Sequence, residues 1–355
     1  MSVITIVGAG MMGSAMSIPA ADNGHEVRLV GTPLDREIIK RLQTDGVHPK
    51  HQRKLPETVR FLQIEELTRA IAGADLLING VSSFGVDWFT REVLPLIPVN
   101  LPVLSVTKGL AEADDQLIPF PYDMAQKMSP RRQLSLNAVG GPCTSYELVD
   151  RAHSAVAFCG DDLNTLARLK KLLATPYYHI SLSTDVIGVE SAVALKNGYA
   201  LGVSLAVGLE ESLRGVGCAQ TYNPQAALFG QSVKEMARFL KLLGGQDESL
   251  VYGAGDLYVT IFGGRTRKLG TLLGRGLPFA RAMEELAGIT LESVAITTTV
   301  ARVLRRRAAN GKARLSDFPL LIHVDEIINN GARVAIPWES FPRIAAPPSP
   351  DQKDH

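Results

Sequence analysis

The sequence predicts two halves of different class: an α/β half on a doubly wound, mostly parallel sheet, then an all-α half. Three observations carry that expectation. Short apolar runs of strand length alternate with helix-length segments as far as residue 183, the pattern of a parallel sheet covered by helices. Beyond Asp185 the apolar residues recur every three or four positions, as in Met236, Phe239, Leu240 and Leu243, and strand-like runs nearly vanish. The length, 355 residues with 46% hydrophobic and 21% charged, suits two domains with a sizeable core and excludes bulk disorder. Residues 1–183 are therefore expected as one domain, 184–340 as a second, and the Pro-rich polar stretch 341–355 as a frayed tail.

The strands expected in order are Val3–Val7, Glu26–Val30, Asp75–Asn79, Val103–Val106, Leu134–Val139, Ala155–Cys159 and Tyr177–Ser181. Most are apolar at consecutive positions, as strands covered on both faces must be. The closing strands are left open to antiparallel pairing. Helices are expected between them, for example over Gly13–Asn23 and Ile64–Ala72. In the second half Ser191–Leu209 has the length and apolarity of a membrane span, but it carries Lys196 and Asn197. A lysine at bilayer depth costs about 2.5–3.5 kcal/mol, so a buried helix and no integral membrane segment is the expectation. Thr290–Arg307 and Leu320–Asn330 have the same helical spacing.

The 37 Lys+Arg against 36 Asp+Glu leave a formal charge of +1, no footprint for nucleic acid or an anionic membrane. Arg305-Arg306-Arg307 reads as one solvated helix face. Cys143, Cys159 and Cys218 are odd in number and lack CxxC spacing, which argues against a disulfide framework or a cysteine zinc site. Cys159 and Cys218 read as small core hydrophobes. No export signal is visible before Val3, so a reducing cytoplasm is expected. The seven His lack a metal spacing, no metal is expected, and His153 and His179 read as structural.

Gly8-Ala9-Gly10-Met11-Met12-Gly13 follows the first strand and opens a helix. Gly8 permits the tight turn, Gly10 lets a pyrophosphate approach, and Gly13 lets the helix pack on the strand. Phosphates would then sit on free N–H groups at the positive end of the helix dipole. The expected cofactor is NAD or NADP. An acidic residue about 20 positions on usually marks NAD, but here stand Gly31-Thr32-Pro33, with Asp35 and Arg36 slightly later. The choice between the two stays open.

Lys196 is a lone cation in an apolar helix and must be paired or face a cleft. Lys108, in Thr107-Lys108-Gly109, follows a strand at the end where open α/β sheets collect ligands. Asp256 lies in Gly255-Asp256-Leu257 and Arg265 in Gly263-Gly264-Arg265. Two lysines, a carboxylate and an arginine suit reduction of a phosphorylated ketone. Hydride arrival leaves charge on oxygen, a lysine lowered by a like charge gives the proton, and arginine forks onto phosphate.

On these residues the chain resembles the NAD(P)-dependent glycerol-3-phosphate dehydrogenases, from residue 1 to about 330. The segments that carry it are the glycine loop, Thr107-Lys108-Gly109-Leu110, Gly141-Pro142-Cys143-Thr144-Ser145, Gly188-Val189-Glu190 leading to Ala194-Leu195-Lys196-Asn197, Gly255-Asp256-Leu257 with Thr260, Gly263-Gly264-Arg265-Thr266-Arg267, and Leu291-Glu292. The resemblance implies a Rossmann domain followed by a helical substrate domain, and reversible reduction of dihydroxyacetone phosphate to glycerol 3-phosphate. It implies Lys196 as proton donor and acceptor, Lys108 at both substrate and nicotinamide, and Asp256 supporting the reacting hydroxyls. Arg265 would bridge phosphate and cofactor. Gly141, Cys143, Asn197, Thr260, Gly264 and Thr266 fall on the substrate side. Met11, Met12, Thr32, Phe84, Ser145 and Glu292 fall on the cofactor side.

Departures from the family pattern cluster where substrate would sit. Thr266 stands where the family usually has Asn, Cys143 where bacterial members have Ser, Ser293 where Gly is usual, and Ser82-Ser83-Phe84 replaces a loop more often holding Pro and Ser or His. They leave open another phosphorylated ketose or polyol on the same scaffold. A β-hydroxyacid dehydrogenase is disfavoured by the array of Arg265 and Asp256. A catalytically silent dinucleotide sensor is disfavoured by the presence of both lysines. The helical half is compatible with a homodimer, although no heptad seam marks one.

Overall fold

The computed structural model describes residues 1–128, 133–288 and 291–341. Eight strands form one sheet: β1 (Val3–Val7), β2 (Glu26–Val30), β3 (Val59–Leu62), β4 (Leu76–Asn79), β5 (Val103–Ser105), β6 (Leu136–Gly140), β7 (Ser154–Cys159) and β8 (Tyr178–Ser183). Their spatial order is β8-β7-β6-β5-β4-β1-β2-β3. The chain runs outward from β1 to one edge and then returns through β4 to the other. Such a reversal opens a crevice at the carboxyl ends of β1 and β4, where doubly wound sheets bind ligands.

All the pairings are parallel except β6 with β7, where Ala138 faces Cys159 and Gly140 faces Ala157. A parallel return needs a crossover helix laid over the sheet. The only helix between β6 and β7, Ser145–Val149, packs on the glycine-loop helix instead. The strand β3 escapes the sequence reading. It is a four-residue edge strand carrying the exposed Arg60, too short and too polar to register. The hairpin Leu110–Ala113/Gln116–Pro119 is likewise too short and too polar to be legible in the sequence.

The expected helix Gly13–Asn23 begins two residues earlier and is broken in two, Met11–Ala15 and Ser17–Asp22. Pro19 has no N–H to give the carbonyl of Ala15, so the ladder is interrupted there. The expected helix Ile64–Ala72 starts as a 3₁₀ turn, Ile64–Glu66, before Leu67–Ile71.

The second half is all helix. Its axis is the central helix Val186–Arg214, whose most apolar stretch is 83% buried inside the fold. The hydropathy that imitates a membrane span is thus satisfied by five helices packed around it: Tyr222–Leu243, Leu250–Ile261, Gly264–Gly274, Glu292–Ala309 and Pro319–Asn330. Glycine sets the closest approach. A Cβ on Gly274 would stand 2.3 Å from the carbonyl oxygen of Leu205, so a side chain there would push the two helices apart. Helix Pro319–Asn330 begins without a side-chain cap of its own. Buried Glu235 supplies one from a neighbouring helix, accepting from the N–H groups of Leu320 (2.8 Å) and Leu321 (3.1 Å).

Two expectations need correction. Arg305, Arg306 and Arg307 are not a plain solvated face. Arg305 pairs with Asp325 and Glu326, while Arg306 reaches Glu112 and Arg307 the carbonyl of Asp115 on the hairpin. A basic helix face is the natural partner for an acidic turn, and the pairing staples the first half onto the second. Cys218 is not a core hydrophobe; it lies half-buried in the loop after the central helix, whereas Cys159 is fully buried. His153 and His179 do stack on each other, with ring centroids 5.2 Å apart. Thr290, at the start of one expected helix, and Pro342–His355, read as a tail, lie outside the described residues. Glu292–Ala309 carries the rest of that helix.

Candidate active site

The sheet half contributes a glycine turn and a lysine. Gly8 sits at φ +111°, a conformation that L side chains rarely adopt, and a Cβ on it would press to 2.7 Å from the backbone of Gly80 after β4. A Cβ on Gly13 would stand 2.1 Å from the carbonyl oxygen of Gly8, while beyond Gly10 there is open space. The turn is therefore closed behind and open in front, which fits a pyrophosphate laid against backbone N–H groups. Asp35 is tied to it: one carboxylate oxygen accepts from the N–H of Ala9 (3.1 Å) and from the N–H and hydroxyl of Thr32 (2.9 and 2.8 Å). Spacing alone did not reveal this contact between the late acid and the loop.

Lys108 follows β5. Thr107 anchors it by donating its hydroxyl to the carbonyl of Val81 at 2.6 Å. Gly109 behind it lies under the ring of Phe120, which leaves no room for a side chain. The amine then donates to the carbonyl of Gly141 (3.0 Å) and to Oδ2 of Asp256.

The helical half contributes the other partners. Asp185 caps the central helix, accepting from the N–H of Gly188 (2.9 Å), and its second oxygen accepts from Gln246 and Ser249. That fixes the rotation of Lys196. Helix Leu250–Ile261 is brought alongside by Gly253, where a Cβ would meet Ala192 at 2.6 Å, and Gly255 rests on the ring of Pro142. Asp256, only 1% exposed, then reaches Lys196, whose Nζ donates to Oδ1 at 2.6 Å. Two ammonium groups from opposite halves share the two oxygens of one buried carboxylate.

Burial lowers the pKa of Lys196 from the usual lysine range, and the charge of Lys108 lowers it further. Asp256 opposes both. The site thus holds an amine whose proton is more easily given than that of a lysine in water. Burial pushes the Cys143 thiol up to about 11, so it presents S–H and not thiolate at neutral pH.

Between the halves lies a cleft of ≈ 590 Å³, its lining including Ser83, Phe84, Lys108, Asn197 and Glu292. Glu292 bridges its walls: it accepts from the hydroxyl of Ser83 (3.3 Å) and, more weakly, from the amide of Asn197 (3.5 Å). Lys108 belongs to both this cleft and the carboxylate cluster. The remaining sites expected from the sequence are placed as follows. Thr260 spends its hydroxyl on the carbonyl of Asp256 at 2.6 Å. Gly264 and Arg265 are exposed in the first turn of Gly264–Gly274, with Thr266 buried beneath them. Ser145 opens the helix Ser145–Val149 beside the glycine-loop helix, and Met11 and Met12 stand half-buried on the latter.

Glu190, in Gly188-Val189-Glu190, has no role expected from the sequence. It is fully buried six positions before Lys196, and neither carboxylate oxygen has a hydrogen-bond partner among the described residues. Burial pushes its carboxyl up to about 8, against the pull of Lys108. A folded value raised above the unfolded one of 4.5 means that folding takes up a proton, so stability falls as pH climbs from that value towards 8. Glu190→Gln is expected to remove that fall. Its melting temperature relative to the parent should rise with pH across this window, with a constant offset elsewhere. A pH-independent difference in thermal melts would show that Glu190 ionises normally.

The doubly wound sheet, glycine turn and shared carboxylate define a class: a dinucleotide-dependent oxidoreductase. Comparison with known proteins narrows it. The family described as NAD-dependent glycerol-3-phosphate dehydrogenase matches through its N-terminal part at residues 3–165 and its C-terminal part at residues 185–338. The chain belongs to that family. It is 34% identical over 286 residues to an NADP(+)-dependent glycerol-3-phosphate dehydrogenase of Archaeoglobus fulgidus, covering 80% of this chain and 83% of that one. It is 29% identical over 308 residues to a glycerol-3-phosphate dehydrogenase [NAD(P)+] of Koribacter versatilis, covering 85% and 87%. The fold matches the crystal structure of glycerol-3-phosphate dehydrogenase from Coxiella burnetii with a TM-score of 0.79, at 24% identity over 96% of this chain and 97% of that one.

Proposed function

We propose that the protein catalyses the reversible reduction of dihydroxyacetone phosphate to glycerol 3-phosphate with NADH or NADPH. The observation that carries this reading is the pair of amines on Asp256, one from each half, beside the cleft. A reduced nicotinamide, when bound, supplies the hydride to the carbonyl carbon. Lys196 gives its proton to the carbonyl oxygen as charge develops there, and takes it back in the reverse direction. Lys108 holds positive charge against the same oxygen, and Asp256 fixes both amines so that little reorganisation is needed as the charge develops. Gly8, Gly10 and Gly13 shape the phosphate-binding turn, with Thr32, Phe84, Ser145 and Glu292 on the cofactor side. Gly141, Cys143, Asn197, Thr260, Gly264 and Thr266 stand on the substrate side.

Arg265, exposed in the first turn of Gly264–Gly274, would anchor the substrate phosphate. Arg265→Ala is expected to raise KM steeply for the phosphorylated ketone and little for its dephosphorylated analogue. Equal effects on both substrates would remove the phosphate role. The domain division at residue 183 goes with this reading, one half serving cofactor and the other substrate. So does a reducing, cytoplasmic setting, in which Cys143, Cys159 and Cys218 persist as free thiols. Exposed Leu213, Tyr222, Tyr258 and Phe262 on the helical half support a homodimer. The whole reading is tested by following NADH and NADPH oxidation by absorbance against a panel of ketose phosphates. Dihydroxyacetone phosphate should be the best of them, and inactivity towards the entire panel would overturn it.

A further inference from the structure

Two histidines outside the catalytic cluster touch the back of the glycine turn. His48 is 0% exposed and His51 3%. They belong to a tight hairpin, Val47–His48 against Arg53–Lys54, that follows the helix Arg36–Asp45. The Nε2 of His48 lies 3.1 Å from the carbonyl oxygen of Ala9, and the Nε2 of His51 lies 2.8 Å from that of Met11.

The protons on these rings follow from their other contacts. Nδ1 of His48 accepts from the backbone N–H of Lys50 and of His51, each at 3.2 Å, so it carries a lone pair and the ring proton is on Nε2. Nε2 of His51 faces a carbonyl and must likewise carry the proton. Burial holds both imidazoles below the usual histidine range, hence neutral. The hairpin is itself held in place. Arg53 forks onto Asp150 (2.8 and 3.2 Å), and the ring of His51 meets that of Tyr146 edge-on at 5.3 Å.

A trans peptide is planar, and its C=O and N–H point in opposite directions. The chain has no cis peptide bonds among the described residues. Holding the carbonyl of Ala9 therefore fixes the N–H of Gly10, and holding that of Met11 fixes the N–H of Met12. Both N–H groups are turned away from the histidines. The space that a Cβ on Gly10 would occupy is open, so the turn is not closed over by side chains there. The N–H of Ala9, by contrast, is already taken by Asp35.

We propose that His48 and His51 are positioning residues for the dinucleotide pyrophosphate: by donating Nε2–H to the carbonyls of Ala9 and Met11 they aim the amides of Gly10 and Met12 at the phosphates. This rests on the reading of the turn as a dinucleotide site. Its consequence is that affinity depends on a hydrogen-bond donor at positions 48 and 51, and not merely on bulk.

The test is the dissociation constant for NADH and NADPH, from nicotinamide fluorescence, in the full-length protein and in His48→Leu, His48→Gln, His51→Leu and His51→Gln. Each leucine is expected to weaken binding about fivefold, and each glutamine, which keeps a donor, less than about twofold. Leucine variants that bind as the parent does would overturn the proposal, and so would glutamine and leucine weakening binding equally. If a leucine variant does not fold by circular dichroism, the ¹⁵N-imidazole spectrum of the parent decides. Two rings in the Nε2–H form, with Nε2 signals that move when NADH is added, are expected. Nδ1–H rings or unmoved signals would overturn it. A parent protein that binds neither dinucleotide would instead reject the reading of the turn, and the inference with it.

Discussion

Replacing Lys196 by alanine is expected to lower kcat by about 10²–10⁴-fold, the usual range for loss of a positioned general acid, while the affinity for NADH or NADPH stays near that of the parent. The split follows from where the amine stands. It is bonded to Asp256 in the helical half, whereas the glycine turn belongs to the sheet half. Substitution also leaves Asp256 paired, because Lys108 still holds its other oxygen. The fold should therefore survive, and thermal melting run alongside the kinetics checks that it does. Steady-state turnover and a fluorescence titration of the dinucleotide together decide the matter. Full kcat in the variant would remove Lys196 from the mechanism.

Asp256→Asn is expected to damage both turnover and stability. The carboxylate is nearly inaccessible and is the shared counter-charge of two ammonium groups. Deleting one partner of a buried ionic group leaves charge uncompensated, at a cost of about 3–5 kcal/mol. The sign with pH can be worked out. Asp256 raises the pKa of Lys196, against burial and Lys108. Without it the amine loses its proton at lower pH. The alkaline limb of kcat/KM for ketone reduction should then shift to lower pH, since in the proposed mechanism the protonated amine is the form that reacts. The deficit in melting temperature should shrink as pH rises, because a neutral amine needs no counter-charge. A variant with an unshifted alkaline limb would show that Asp256 does not govern the proton on Lys196.

Much of this architecture is legible in the chain because local chemistry writes it there. Seven of the eight sheet strands announce themselves as short apolar runs, and the central helix as an apolar stretch interrupted by Lys196. The glycine turn is legible because only a residue without Cβ fits Gly8 and Gly13. What escaped did so for equally physical reasons. The strand β3 and the hairpin at 110–119 are short and partly polar. Their pairing partners, and not their own pattern, make them strands. Arg306 and Arg307 looked solvated because the acidic turn that meets them lies nearly 200 positions away in the chain, as the separation of 194 between Arg306 and Glu112 illustrates, whereas Arg305 pairs within its own half with Asp325 and Glu326.

The site divides along the same line. Lys196 stood out in the sequence as a lone charge in an apolar helix, which demands a partner, Lys108 by its place after a strand, and Asp256 by its glycine-flanked motif and the family resemblance. These signals did not contain the partnership. Lys108 and Asp256 are 148 positions apart and Lys196 and Asp256 are 60. Only the packing of Gly253 on Ala192 and of Gly255 on Pro142 brings them to one point. The same holds for the contacts of His48 and His51 with the glycine turn and for the full burial of Glu190. Sequence by itself determined the two halves, the glycine turn and the inventory of reactive groups, all consequences of local periodicity and residue chemistry. Tertiary structure alone decided which groups meet and which hold their protons. Both depend on desolvation and on neighbours a few ångströms away in space, which distance along the chain does not encode.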